Sequence, residues 1–250
     1  MSGTADTGAY VYPWDVVGDP KAPQRLADLG LTRVTLAAAH HPVRAVSPLP
    51  PRRRITAVPY AAVYHPLDDR RWKGRRLRPR VYGDDLFGTA ALALARAGLA
   101  VDAWVVLTHN STVGAANPGA VVRNVYGDRY PWALCPSVPE VVEFARDLAA
   151  EAAARPGVAG VELEACGWYG FAHDSAHDRT FGVRFGPGDV ALLSLCFCPA
   201  CRTGYAAVGL EPEELRADVL AALGRVCQGA RAGHADLEEA LGPHAAEAVR

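Results

Sequence analysis

Three thiols fall within six residues, at Cys196, Cys198 and Cys201 of Leu195-Cys196-Phe197-Cys198-Pro199-Ala200-Cys201-Arg202, and a fourth stands alone at Cys135. Four soft thiolates suit a tetrahedral Zn2+, with the close ligands on one tight turn and the distant ligand closing a loop. A catalytic or redox dithiol and unligated core thiols are the other readings. Cys-x-Cys-x-x-Cys is not the spacing of thioredoxin-type exchange. Because four thiolates saturate zinc and leave no open position for water or substrate, the expected zinc is structural, tying the segment at Cys135 to the segment at Cys196. Cys166 and Cys227 read as buried thiols.

Between the two halves of this cluster, residues 158–165 read as an apolar strand carrying two acids, Glu162 and Glu164. At i and i+2 they share one face, ~7 Å apart by strand rise. A carboxylate on a buried face is costly unless it is paired or used. Pairing with a buried arginine or a tyrosine hydroxyl is the structural alternative to catalysis.

The loop after this strand, 166–178, is dense in aromatic, histidine and aspartate residues. Trp168 and Tyr169, with Trp132, offer apolar faces with polar edges on which a sugar ring can stack. His173, Asp174, His177 and Asp178 are either a second metal site or a solvated polar loop. Asp15, His40, His109 and Asn110, together with His41 and His65, stand at the ends of other strands, where the binding groups of a barrel gather. Each alone is commonly structural; their recurrence points to a pocket for a carbohydrate or another small polar ligand. Trp104 is assigned to the core.

These groups need elements to position them. The sequence predicts a strand over 10–17, a helix from Asp19-Pro20 to Gly30, a strand over 33–39 and a third strand over 55–63, where Pro59 removes a ladder donor. A helix over 85–98, a strand over 101–108 and a helix capped by Ser137, with Glu140 completing a capping box, follow. The acid-bearing strand is then the fifth, and helices over 199–208 and 211–228 come after the cysteines. Residues 113–136 read as a long functional loop.

Five βα units describe an α/β fold, and a (β/α) barrel fits better than a doubly wound sheet, since no G-x-G-x-x-G follows any strand. No convincing sixth strand follows Ala165. The expectation is therefore an incomplete TIM barrel over 1–228, truncated or half of a homo-oligomeric assembly, with 229–250 as a helical or frayed tail.

Half of the 250 residues are apolar, enough for a sizeable core. A net charge of −1 and a pI near 6.7 give no overall electrostatic reason to expect nucleic acid or an anionic membrane as partner. The Arg-rich connector 69–82, with Arg70, Arg71, Lys73, Arg75, Arg76, Arg78 and Arg80, reads as a phosphate or nucleic-acid site or as a solvated loop, and the flanking acids Asp68, Asp69, Asp84 and Asp85 favour the loop. The first residues lack the basic start and apolar run of a secretion signal, and no run approaches the ~20 apolar residues of a membrane span. A cytoplasmic setting is expected, where clustered cysteines serve as metal ligands or catalytic thiols rather than disulfides.

The order of Cys135-Pro136-Ser137, Glu162-Leu163-Glu164 and Cys196-Phe197-Cys198-Pro199-Ala200-Cys201-Arg202, with Tyr205 following, resembles the zinc-containing β-galactosidases of glycoside hydrolase family 42. In that family a lone cysteine precedes a helix, the next strand ends in an Asn-Glu holding the acid/base, and a Cys-Tyr-Cys-Pro-x-Cys segment completes a structural zinc site. The resemblance covers about residues 124–210. It implies Cys135, Cys196, Cys198 and Cys201 as zinc ligands and Glu164 as the general acid. Leu163 stands where the family has Asn, and Glu164 reads as lying on the fifth strand where the family's acid lies on the fourth.

Overall fold

The apolar runs Val34–Ala39 and Val101–Val106 require burial on both faces, which parallel strands under helices provide. The computed structural model describes residues 7–49, 54–173, 178–180 and 182–228. The expected tail at 229–250 lies outside them. The chain divides into two compact units, Met1–Val113 with Glu143–Glu164, and Gly114–Val142 with Ala165–Arg250.

In chain order the elements are β1 (Gly8–Val11), α1 (Pro13–Val17), α2 (Ala22–Asp28), β2 (Arg33–His40), β3 (Val43–Val46), β4 (Ile55–Val58), β5 (Ala62–Val63), α3 (Asp69–Trp72), β6 (Arg80–Val81), α4 (Leu86–Arg96) and β7 (Ala100–Val106). There follow α5 (Ser111–Ala116), β8 (Val121–Arg123), β9 (Arg129–Leu134), α6 (Pro139–Ala153), β10 (Gly160–Glu164), α7 (Pro187–Ser194), α8 (Pro199–Ala207) and α9 (Pro212–Cys227).

The first unit is a mixed α/β sheet. Parallel pairing runs from β1 to β2, β2 to β7 and β7 to β10. The short β5 pairs antiparallel with the end of β2 and parallel with β6. Chain order therefore follows sheet order across the four parallel strands, while β1 and β10 do not pair with each other among the described residues. No closed barrel forms among those residues. Helix α4 starts where the Asp85 side chain accepts from Gly88 N (2.9 Å), and it packs Phe87, Ala90, Ala91 and Leu94 on β2 and β7. No single helix among the described residues is long and apolar enough to cross a membrane.

Several sequence expectations are corrected. The strand expected over 10–17 stops at Val11, because Pro13 opens α1 and Asp15 Oδ2 accepts from the Tyr12 amide at 3.0 Å. The third strand expected over 55–63 breaks at Pro59. Its first half, Ile55–Val58, alternates exposed and buried residues and forms an antiparallel hairpin with β3, outside the parallel set. Removing it from the count makes β7 the third parallel strand and β10, with Glu162 and Glu164, the fourth. The long loop expected over 113–136 holds α5 and the β8–β9 hairpin. Ser137 caps nothing, since α6 begins at Pro139 and the buried Ser137 Oγ has no hydrogen-bond partner among the described residues.

Four arginines of the Arg-rich connector are paired with acids. Arg70 bonds Asp68 (3.1 Å), Arg71 bonds Asp147 (3.2 Å), Arg75 bonds Asp147 (3.0 Å) and Glu143 (2.5 Å), and Arg78 bonds Asp69 (3.1 Å). Arg80 lies over the Tyr60 ring at 3.7 Å. Beneath this layer the buried Glu151 accepts hydrogen bonds from Trp72 Nε1 and the Asp68 amide, which fixes α3 against α6.

In the second unit the hairpin, α7, α8 and α9 share a core of Tyr130, Leu192, Leu193, Phe197, Tyr205, Val219 and Leu223. Two buried phenols find carbonyls there, Tyr130 Oη at Leu193 O (2.9 Å) and Tyr205 Oη at Cys196 O (3.0 Å). Cys166 and Cys227, expected to be buried, are exposed. Cys166 follows the Ala165 turn at φ 54°, and Cys227 ends α9 away from its buried stripe of Leu215, Val219, Ala222, Leu223 and Val226.

Candidate functional site

Period-two alternation sends one set of side chains from each parallel strand to the same face of the first unit. β1 and β10 are separated by β2 and β7, which in a flat sheet places them ~14 Å apart. The Tyr10 phenol of β1 nevertheless donates to Glu162 Oε1 of β10. The sheet is therefore curled, with this face concave.

Side chains fill the concave face in tiers. At the N-terminal end Arg33 Nη1 bonds Asp102 Oδ2 at 2.5 Å, and Gly160 leaves room for that carboxylate, since a Cβ there would lie 2.6 Å from Asp102 Oδ1. One tier further, Glu162 receives Tyr10 Oη and, at 3.3 Å, Thr35 Oγ1. This is the tyrosine pairing foreseen as the structural use of such an acid. The carboxylate in turn holds the Tyr10 phenol above its ordinary value, through the hydrogen bond first and desolvation second. At the C-terminal tier Trp104 Nε1 donates to Glu164 Oε2 at 2.7 Å.

Trp104 is thus not a core residue. Asp102 and Trp104 alternate with the buried Val101, Ala103 and Val105, so the indole is half-buried on the concave face. Its ring meets Tyr10 at 5.1 Å and His40 at 4.6 Å between centroids, both edge to face, and Tyr12 at 5.9 Å. Tyr12 in turn stacks on Trp14 at 4.6 Å. Sequence reasoning missed Tyr10, Tyr12 and Thr35 as part of this surface. The available signal was the i, i+2 spacing of Tyr10 and Tyr12 on a strand read as too long.

Of the remaining expected ligand groups in this unit, His40 joins the aromatic cluster, with Nε2 3.4 Å from Tyr12 Oη and Nδ1 3.2 Å from His41 O. His41 and His109 stack at 4.7 Å. Asp15 and Asn110 are occupied locally. Asp15 accepts from Tyr12 N and Ser47 Oγ, and Asn110 Oδ1 accepts from Val113 N at 2.9 Å.

Burial, with the neighbouring His41 as a lesser cause, pushes His40 down from 6.5 to about 4. Its neutral form is the one the fold accommodates. The unfolded chain binds a proton near pH 6.5 that the folded chain refuses until about pH 4, so stability is full above pH 6.5 and is lost as pH falls towards 4. Urea unfolding at pH 7 and pH 4.5 should show an acid loss of about 2–3 kcal/mol. His40→Gln should remove that share of the pH dependence, and an unchanged profile would refute the assignment.

In the second unit Trp168, Tyr169 and Phe171 pack on its core. His173 lies 6.0 Å from Tyr169 and 5.3 Å from Trp132, whose Nε1 donates to Gly170 O at 2.8 Å. Asp174 and His177, the other half of the suggested second metal site, lie outside the described residues.

Cys135, Cys196, Cys198 and Cys201 converge as the sequence implied. All four are buried, and their Sγ atoms lie within 4.8 Å of one another. Tetrahedral Zn–S bonds of ~2.3 Å place sulfurs about 3.8 Å apart. The Cys135–Cys198 and Cys135–Cys201 separations are 3.8 and 3.4 Å. Cys196 Sγ also accepts from the amides of Arg123 (3.3 Å) and Cys198 (3.5 Å), the outer hydrogen bonds that orient a ligating thiolate. The donor set fits a metal ion of zinc's size and softness.

No protein-family model matches the sequence, and no curated protein matches it. Among solved structures the chain is similar to alpha-L-fucosidase isoenzyme 2 from Paenibacillus thiaminolyticus, at 14% identity and a TM-score of 0.51, over 98% of this chain and 31% of that one. It is also similar to the beta-galactosidase of the psychrophilic Marinomonas ef1, at 12% identity and TM-score 0.44, over 88% of this chain and 27% of that one. A third similarity is to the maltogenic alpha-amylase AmyB of Thermotoga neapolitana, at 16% identity and TM-score 0.43, over 68% and 41%. The chain spans about a third of the fucosidase's length. At 14% identity the likeness to the fucosidase is one of fold alone, a mixed α/β fold.

Proposed function

We propose that the protein is a carbohydrate-active, glycoside-hydrolase-like molecule built as an incomplete TIM barrel over about 1–228, working in the cytoplasm with a structural zinc. The supporting observation is that Glu164 stands at the C-terminal end of the fourth parallel strand, held by Trp104 Nε1 at 2.7 Å beside Tyr12 and His40. The family it resembles carries its acid/base on that strand, and barrel enzymes bind ligands at that end.

In this reading the rings of Trp104 and Tyr12 pack on a sugar face. Glu164, more exposed than Glu162, protonates the glycosidic oxygen as the bond to the leaving group breaks; water then bonds to the anomeric carbon and gives its proton back to the Glu164 carboxylate. Glu162, fixed by Tyr10 and Thr35, supplies negative charge beneath the developing oxocarbenium ion. Cys135, Cys196, Cys198 and Cys201 would hold the zinc, which with four protein ligands supplies rigidity and no reaction site.

A second reading, a non-hydrolytic saccharide binder, is favoured by one feature. Glycosidases set two carboxyl groups on opposite sides of the bond, about 5–10 Å apart, and here both acids ride on one strand. A panel of aryl glycosides separates the two readings. Hydrolysis by the wild type, with turnover falling ~10²-fold or more in Glu164→Gln while sugar binding persists, is expected of the enzyme. Equal turnover in both proteins removes Glu164 from the mechanism. Binding without turnover in the wild type establishes the second reading.

A further inference from the structure

The second unit holds a cavity of about 330 Å3 whose lining includes Arg123, Arg202 and Arg216. Val125, Phe197 and Pro199 give the same cavity an apolar wall, and Asn124 and Gly127 complete its rim. We propose that this cavity is a binding site for a small phosphate or sulfate monoester, the oxyanion held by the arginines and the organic part resting on Phe197 and Pro199.

Charge is the first argument. Among the described residues Glu213 is the acid that ion-pairs with this cluster, bonding Arg202 Nη2 and lying 3.9 Å from Arg216 Nη1. Arg123 forms no ion pair among the described residues, so the cluster keeps an excess of positive charge. This contrasts with the connector at 69–82, where Arg70, Arg71, Arg75 and Arg78 are matched by acids and Arg80 is stacked on a ring. Guanidinium forks fit the paired oxygens of a tetrahedral oxyanion, and several of them facing one cavity offer several charge-assisted hydrogen bonds to a single ligand.

Rigidity is the second. The turn between β8 and β9 is organised by buried Asn124, whose Oδ1 accepts from the amides of Tyr126 (3.0 Å) and Asp128 (2.9 Å) while Nδ2 donates to Tyr130 Oη (3.2 Å). The same Nδ2 draws the Asp128 carboxylate to itself at 3.5 Å. The turn closes through Gly127 at φ 96°. Arg216 Nε donates to Val125 O at 2.9 Å, which spans the turn and α9, and with Nη1 near Glu213 it is Nη2 that is left to face a ligand. Arg123 is anchored through its backbone, its amide on Cys196 Sγ (3.3 Å) and its carbonyl accepting from Phe197 N (2.7 Å). The guanidinium of Arg216, held by Val125 O, and that of Arg202, held by Glu213, are therefore placed before any ligand arrives, and Arg123 reaches in from a fixed backbone, which lowers the ordering cost of binding.

Isothermal titration of the full reduced chain with phenyl phosphate, phenyl sulfate and inorganic phosphate tests the site. Saturable binding of one ester per chain is expected, weakened ~10-fold or more in Arg123→Ala. Glu213→Gln removes the competing carboxylate and should tighten binding ~3-fold, which damage to the fold would not do. Arg202→Gln serves as the second variant if Arg123→Ala loses its near-UV circular dichroism, with the same weakening expected. The tighter of the two esters identifies the head group. Non-saturable binding, an affinity unmoved by the arginine variants, or inorganic phosphate binding as tightly as both esters overturns the proposal.

Discussion

Cys135→Ser is expected to take bound zinc from about one per chain to near zero and to lower the melting temperature of the reduced protein by more than ~10 °C. The four sulfurs are buried side by side in the core of the second unit, between the hairpin and the start of α8. Without a cation such a group carries a penalty in either protonation state. Deprotonated, the thiolates repel one another in a desolvated site; protonated, four weak donors share too few acceptors. The Cys135 thiol accordingly lies above its ordinary value, through its contacts with the sulfurs of Cys196, Cys198 and Cys201 and then through burial.

The hydrophobic packing of Phe197, Tyr205, Leu192 and Val219 opposes unfolding. Metal binding at structural zinc sites is nevertheless worth about 10–16 kcal/mol in small peptides, as large as the whole stability of a typical domain. Even the smaller part of that range outweighs the few side chains that surround the site. Metal analysis alongside thermal unfolding of wild type, Cys135→Ser and Cys198→Ser settles the point. Zinc well below one per chain in fresh reduced wild type, or melting unchanged in both variants, refutes a structural metal.

The cysteine group was legible in the sequence because ligand chemistry demands a residue type, whatever the backbone does between the ligands. The strands β2, β7 and β10 were legible for a related reason. A run such as Val34-Thr35-Leu36-Ala37-Ala38-Ala39 has few ways to avoid water other than a buried parallel strand. What escaped was pairing. Ile55–Val58 and Ala62–Val63 read as one apolar strand, yet Ile55 is 69% exposed and its neighbours alternate. Alternation marks a hairpin with one wet face, and Pro59 divides it from β5.

That one miscount moved Glu164 from the fourth parallel strand to the fifth. Trp104 was misplaced because an indole in an apolar run reads as core, and only the register with Glu162 shows which way it faces. The concave cluster of Tyr10, Thr35, Trp104 and Glu162 joins residues up to 152 positions apart, which local pattern cannot connect.

Gly114→Ala should destabilise the protein by about 4–5 kcal/mol, although alanine is the better helix former. Gly114 lies within α5 at an ordinary negative φ, so helix propensity alone favours alanine by ~1 kcal/mol. Packing decides otherwise. A Cβ there would lie 2.0 Å from Pro131 O, 2.9 Å from Pro131 C and 2.9 Å from Val121 Cγ1. The nearest obstacle is backbone, which no rotamer change relieves, and ordinary contact requires a displacement of more than ~1 Å.

Pro131 is poorly placed to yield. The β8–β9 register jumps between Val121–Leu134 and Val122–Tyr130, so residues 131–133 bow out of the ladder towards the helix. Immediately beyond, Cys135 N donates to Ala120 O at 2.9 Å. Pushing β9 away therefore also pulls on Cys135, the lone member of the four-cysteine group. Gly119→Ala, with nothing within 4 Å of its Cβ, is the matched control and should stay within ~0.5 kcal/mol of wild type. Chemical unfolding of the three proteins, with zinc affinity read by competition with a chromogenic chelator, should show Gly114→Ala losing both stability and metal affinity. Wild-type behaviour in both measurements would mean that β9 does not approach α5 as closely as the structure places it.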